Sequence, residues 1–146
     1  MTDDSPALAD GLWAERVGLR RYTGHNSRGA EVQMGPVDAG AVFTPGELLK
    51  VALAGCSGMS ADHSLARRLG PEIAVTVHVA GPSDPQEVRY RTLDEQLVVD
   101  LSGLDEAERE RLVTVVGRAI DRQCTVGRTL EHGTDVRLLV TDRRSR

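Results

Sequence analysis

The segment from Thr44 to Gly70 carries both ends of one long helix, and any fold must be arranged around it. Thr44 is a good N-cap, Pro45 suits the first helical position, and Glu47 stands where it completes a capping box. Gly70-Pro71 is a stop, so the helix runs to about Leu69. At helical spacing Leu49, Ala52, Leu53, Cys56, Met59, Ser60 and His63 share one stripe. The interior is rich in small residues: Ala52, Ala54, Gly55, Ser57, Gly58, Ser60 and Ala61. An interior Gly costs about 1 kcal/mol relative to Ala. Close approach of another backbone is the simplest reason to tolerate that, which makes this a central, buried helix.

Strand patterns flank it. Residues 12–22 space Trp13, Val17 and Leu19 as in a strand, 23–27 are turn chemistry, and 28–34 alternate through Ala30, Val32 and Met34. The reading is a β-hairpin. Ile73 to Ala80 alternates cleanly and 81–85 is a loop; Val88 to Leu101 is a long strand candidate. Asp105 and Glu108 open a second helix, whose apolar face is Leu112, Val115, Val116, Ala119 and Ile120. Thr125 to Leu130 forms a further helical turn ended by Gly133, and Val136 to Val140 is a final strand. Strands in consecutive pairs favour antiparallel pairing and an α+β class over a doubly wound parallel sheet.

Length and charge narrow the function classes. A chain of 146 residues is one domain's worth. Its boundaries are read as a flexible leader over 1–11, a folded domain over 12–141 and a flexible basic tail over 142–146. Only Trp13, Tyr22, Phe43 and Tyr90 are aromatic, so the core rests on Leu, Val, Ile and Ala. A modest core of that kind favours extra burial across a dimer interface. The net charge of -4 speaks against a nucleic-acid partner. The start is acidic without an apolar stretch, and no run approaches a membrane span, so the expectation is a cytoplasmic protein with no membrane partner.

Two cysteines carry the candidate chemistry. Read from periodicity, Cys56 is a thiol packed inside the small-residue helix, and a functional reading needs a cation nearby. Cys124 follows a helix, and free N–H groups of a new turn would favour its thiolate; the alternative is again a packed thiol. A metal site would need three or four ligands at close spacing. There is no C-x-x-C, and His63 lies about 10 Å along the axis from Cys56. His25, His78 and His132 are scattered. No metal and no cofactor is therefore expected. His63 reads as a satisfied core histidine that could tune the site. Glu47 precedes Cys56 by nine residues, about 180° around a straight helix, so capping is its simplest role.

Two segments together have a familiar form. Thr44-Pro45-Gly46-Glu47-Leu48-Leu49 followed by Ala52-Leu53-Ala54-Gly55-Cys56-Ser57-Gly58-Met59 resembles the "P-x-E-L-L…A-L…C" helix of the OsmC/Ohr family. Cys124-Thr125-Val126-Gly127-Arg128-Thr129-Leu130 resembles that family's second cysteine motif. The resemblance covers roughly 12–141. It implies an intertwined α+β homodimer, antiparallel sheets around a long central helix, and sites at the dimer interface. It further implies a thiol peroxidase that reduces organic hydroperoxides, with Cys56 peroxidatic, Cys124 resolving and a dithiol reductant as partner. Closing so long a loop would stabilise the disulfide by ~4 kcal/mol if it were unstrained. Arg28, with Arg21 as the alternative, and Glu47 are the candidates for supporting the thiolate. Leu53, Met59 and Phe43 are the candidates for an apolar substrate pocket. Gly46 stands where well-known peroxidases of the family carry Glu directly after Pro, and Thr125 where many members have Pro.

The alternatives are an OsmC-fold redox sensor or stress protein with little turnover, and a non-catalytic dimeric binding protein. Turnover with a dithiol separates the first from the peroxidase. Thiol reactivity separates both from the second.

Overall fold

The structure, a computed structural model, describes residues 11–143. Of the expected leader only Gly11 falls within them, and of the expected tail only Asp142 and Arg143; the rest of both lies outside the described residues. The chain divides into two compact units, one up to Val51 and one from Ala52 on.

In the first unit three strands form an antiparallel meander in the order β1-β2-β3: β1 is Leu12–Gly18, β2 Arg21–Asn26 and β3 Glu31–Met34. This corrects the single hairpin. The first reversal is at Leu19-Arg20, where Arg20 takes φ 54, and Thr23 to Asn26 belong to the central strand. Pairing on both sides overrides their turn propensity. Gly24 pairs with Ala14 and Val32, and a Cβ there would lie 2.9 Å from Val32 Cγ1. The Thr23 hydroxyl donates to Gln33 at 2.9 Å, and the His25 ring stacks on Trp13 with centroids 5.1 Å apart. Only Asn26 acts as turn chemistry: its Oδ1 accepts the N–H groups of Arg28 and Ala30 at 2.9 and 3.0 Å. A short 3-10 turn, Val37–Ala39, follows.

Helix α1, Pro45–Leu69, has the expected ends. The capping box is formed, with Glu47 N–H donating to Thr44 Oγ1 at 3.1 Å and Thr44 N–H to Glu47 Oε1 at 2.8 Å. Gly70 at φ 105 terminates it. The buried stripe differs from the expected one: it is Leu53, Ser57, Ala61 and Leu65, a single row at four-residue spacing. Met59 is 82% exposed and His63 is exposed, so His63 is not a core histidine. The row of small residues lets α1 lie close to its neighbours, but Gly55 has open space at its Cβ position, so not every glycine serves that end.

In the second unit β4, Val75–Ala80, pairs antiparallel with β7, Asp94–Val99, from Val75 opposite Val99 to Ala80 opposite Asp94. Between them β5, Ser83–Asp84, and β6, Arg89–Tyr90, make a small hairpin. The expected strand over 88–101 is therefore broken, with Val88 at φ 54 and β6 ending before β7 begins. Helix α2, Glu106–Gln123, starts at the Asp105–Glu108 capping box, and α3, Thr125–His132, ends at Gly133 with φ 75. Ala61 and Leu65 of α1 pack with Leu104 and Leu112 as the core, flanked by Val75, Leu97, Val99, Val116 and Ile120. The expected strand Val136–Val140 forms no ladder among the described residues; its side chains are exposed. The class is α+β with antiparallel sheets.

Candidate functional site

The second unit brings the two cysteines together. Cys56 sits on α1 beside the buried row and is half-buried; Cys124 links α2 to α3 and is 1% exposed. Both are free thiols. Cys124 N–H continues the ladder of α2 to Ile120 O at 3.0 Å, while its side chain caps α3 by accepting the Gly127 N–H at 3.3 Å. One residue thus closes one helix and opens the next, which fixes its sulfur. Gly127 leaves room for it: a Cβ there would lie 3.1 Å from Cys124 Sγ and 3.5 Å from Leu53 Cδ1. Leu53 therefore walls the Cys124 turn.

Two further residues complete the cluster, and the sequence did not mark either. Ser57, 2% exposed, places its Oγ 3.6 Å from Cys124 Sγ. The same hydroxyl donates to Glu95 Oε1 on β7 at 2.6 Å. Ser57 is hidden among the small residues of α1, and Glu95 reaches it only through the packing of β7 on that helix. Ser57 lies within the first cysteine segment with no role marked for it, and Glu95 belongs to no motif.

Burial pushes the Cys124 thiol up. The Gly127 N–H and the Ser57 hydroxyl pull the other way, and the adjacent Cys56 thiol adds to the rise. The two thiols are thus neighbours, Cys56 half-buried and Cys124 buried.

Arg28, Phe43 and Glu47 belong to the first unit. Arg28 is exposed in the β2–β3 turn, Phe43 is exposed and bridges Met34, and the Glu47 carboxylate is engaged in the α1 cap. Met59 lies on the exposed side of α1. Among the described residues no three of His, Cys, Asp and Glu gather as a metal-ligand set, and no helix is long and apolar enough to cross a membrane.

The profile of the family described as OsmC-like protein matches residues 38–139. Uncharacterized proteins of Mycobacterium tuberculosis and Mycobacterium bovis are 54% identical over 131 residues, 90% of this chain and 96% of theirs. Among solved structures, an OsmC-like protein from Mycoplasma pneumoniae superposes with TM-score 0.62 at 16% identity, over 82% of this chain and 85% of that one. The organic hydroperoxide resistance protein OhrB of Bacillus subtilis gives 0.51 at 18% identity, over 81% and 89%. At such identities the likeness is one of fold.

Proposed function

Because this chain belongs to the OsmC-like protein family and has its fold, we propose that it is a thiol peroxidase that reduces organic hydroperoxides. The observation that supports this most is the meeting of two free cysteines, far apart in sequence, at one buried turn. In this reading the Cys56 thiolate attacks the O–O bond. An S–O bond forms, the alkoxide leaves and takes up a proton, and Cys56 becomes a sulfenic acid. Cys124 then attacks that sulfur, releasing water and closing a Cys56–Cys124 disulfide. A dithiol reductant restores both thiols by exchange. Leu53, beside the Cys124 turn, gives the site an apolar wall suited to an alkyl chain. A second copy of the chain is the structural partner.

The test is to treat the reduced protein with one equivalent of cumene hydroperoxide or hydrogen peroxide and map disulfides by non-reducing mass spectrometry. A fast Cys56–Cys124 bond with the organic peroxide, slower with hydrogen peroxide, is the expected result. Cys56→Ser should abolish peroxide consumption, and Cys124→Ser should halt at a trappable sulfenic acid on Cys56. Two thiols that stay reduced would overturn the reading.

A further inference from the structure

Ser57 has one hydroxyl proton and two neighbours that compete for it. Its Oγ lies 2.6 Å from Glu95 Oε1 and 3.6 Å from Cys124 Sγ. The hydroxyl donates to Glu95 Oε1, so its proton points to the carboxylate. With that proton directed at Glu95, the Ser57 oxygen offers Cys124 a lone pair, to which the thiol S–H donates. Once the sulfur gives up its proton the hydroxyl can turn and donate to it, which is the sense in which Ser57 eases ionisation of Cys124. The chain therefore runs from Cys124 S–H to Ser57 Oγ–H to the Glu95 carboxylate. It also runs outward: Cys124 and Ser57 are buried, whereas Glu95 is exposed.

We propose that Glu95, acting through the Ser57 hydroxyl, accepts the Cys124 proton as that sulfur attacks Cys56. The sulfenic-acid step rests on the peroxidase reading; the relay itself does not. During disulfide closure the Cys124–Cys56 S–S bond forms and the S–O bond of the sulfenic acid breaks. The thiol proton passes to Ser57 as the Ser57 proton passes to Glu95; the displaced hydroxide takes one proton from solvent and leaves as water. The new Ser57 O–H then points back at the sulfur. Glu95, exposed, hands its proton on to solvent, which closes the balance. The relay gives a thiol that is 1% exposed a route for its proton that leads to an exposed residue. The groups that face Cys124 are Cys56 and Ser57 from α1, Glu95 of β7 through Ser57, and the Gly127 N–H of α3.

An aromatic disulfide, dithiobis(nitrobenzoate), tests this without any peroxide. One equivalent added to the reduced full-length chain should react at the half-buried Cys56 and release one thionitrobenzoate. Attack of Cys124 on the mixed disulfide releases the second, and the rate of that phase is followed against pH. Glu95→Gln keeps an oxygen acceptor but removes its basicity. It should slow the second phase by roughly tenfold at neutral pH and move its pH profile upward. Ser57→Ala should do the same, and the double variant should be no slower than either single one, because both break one chain. Additive losses, a Glu95→Gln profile that superimposes on the parent's, or no second release from the parent would each overturn the relay. If the second phase behaves as stated while hydroperoxide leaves both thiols reduced, the relay stands and the peroxidase reading falls.

Discussion

Cys124 is a titratable group held at 1% exposure, and pH should reveal that. Its thiol value is raised in the folded state, first by burial. Below the ordinary thiol value, about 8.5, folded and unfolded chains both hold the proton, and the contribution to stability is fully present. As pH rises past that value the unfolded thiol ionises while the folded one does not, so stability is lost until the higher folded value is passed. Urea midpoints measured between neutral pH and alkaline pH should therefore fall more steeply for the parent than for Cys124→Ala. Parallel profiles would contradict the assignment. Arg28 belongs to the same scale. It is exposed, so Arg28→Ala should alter stability by no more than about 0.5 kcal/mol. At this scale the two cysteines were legible as a pair only through motif resemblance. Ser57 and Glu95 were not legible, because the contact between them depends on how a strand is registered against a helix, and neither residue type is unusual at its position.

At the scale of elements, what could be read locally was read well. The ends of α1 and α2 are written in capping residues, and both boxes are formed in the structure. Asp105→Ala removes the acceptor for the Glu108 N–H, which lies 2.8 Å away. Loss of such a cap should lower stability by about 1 kcal/mol, seen as a reduced Tm with an unchanged far-ultraviolet spectrum at low temperature. No change in Tm would mean that α2 is held by its packing alone. Elements that depend on distant partners were read less well. Thr23 to Asn26 look like a turn, but they are the middle strand of a meander, where neighbours on both sides decide. The buried row of α1 was misplaced because Ser57 and Ala61 carry little hydrophobic signal, whereas Met59 carries much and faces outward. Burial on this helix follows size at the contact rather than apolarity.

At the scale of the whole molecule, the exposed apolar side chains call for an explanation. Leu12, Trp13, Val17, Leu19, Met59, Val136, Leu138, Leu139 and Val140 all face solvent in the single chain. The short apolar run over 136–140 is read as a strand, yet it has no ladder partner among the described residues. An extended apolar segment with unpaired backbone groups gains most by adding to a sheet or face of another chain, and a second copy of this chain is the partner we propose. The few aromatic residues point the same way, since a small core gains stability by burial between subunits. Analytical ultracentrifugation at micromolar concentration should then give twice the chain mass. Removing residues 134–146 deletes the exposed strand-like segment and should shift the equilibrium towards single chains, with a Tm that falls on dilution for the parent but not for the truncated form. A truncated chain that dimerises as tightly as the parent would mean that other exposed apolar residues, such as those of β1 and the outer side of α1, form the contact instead.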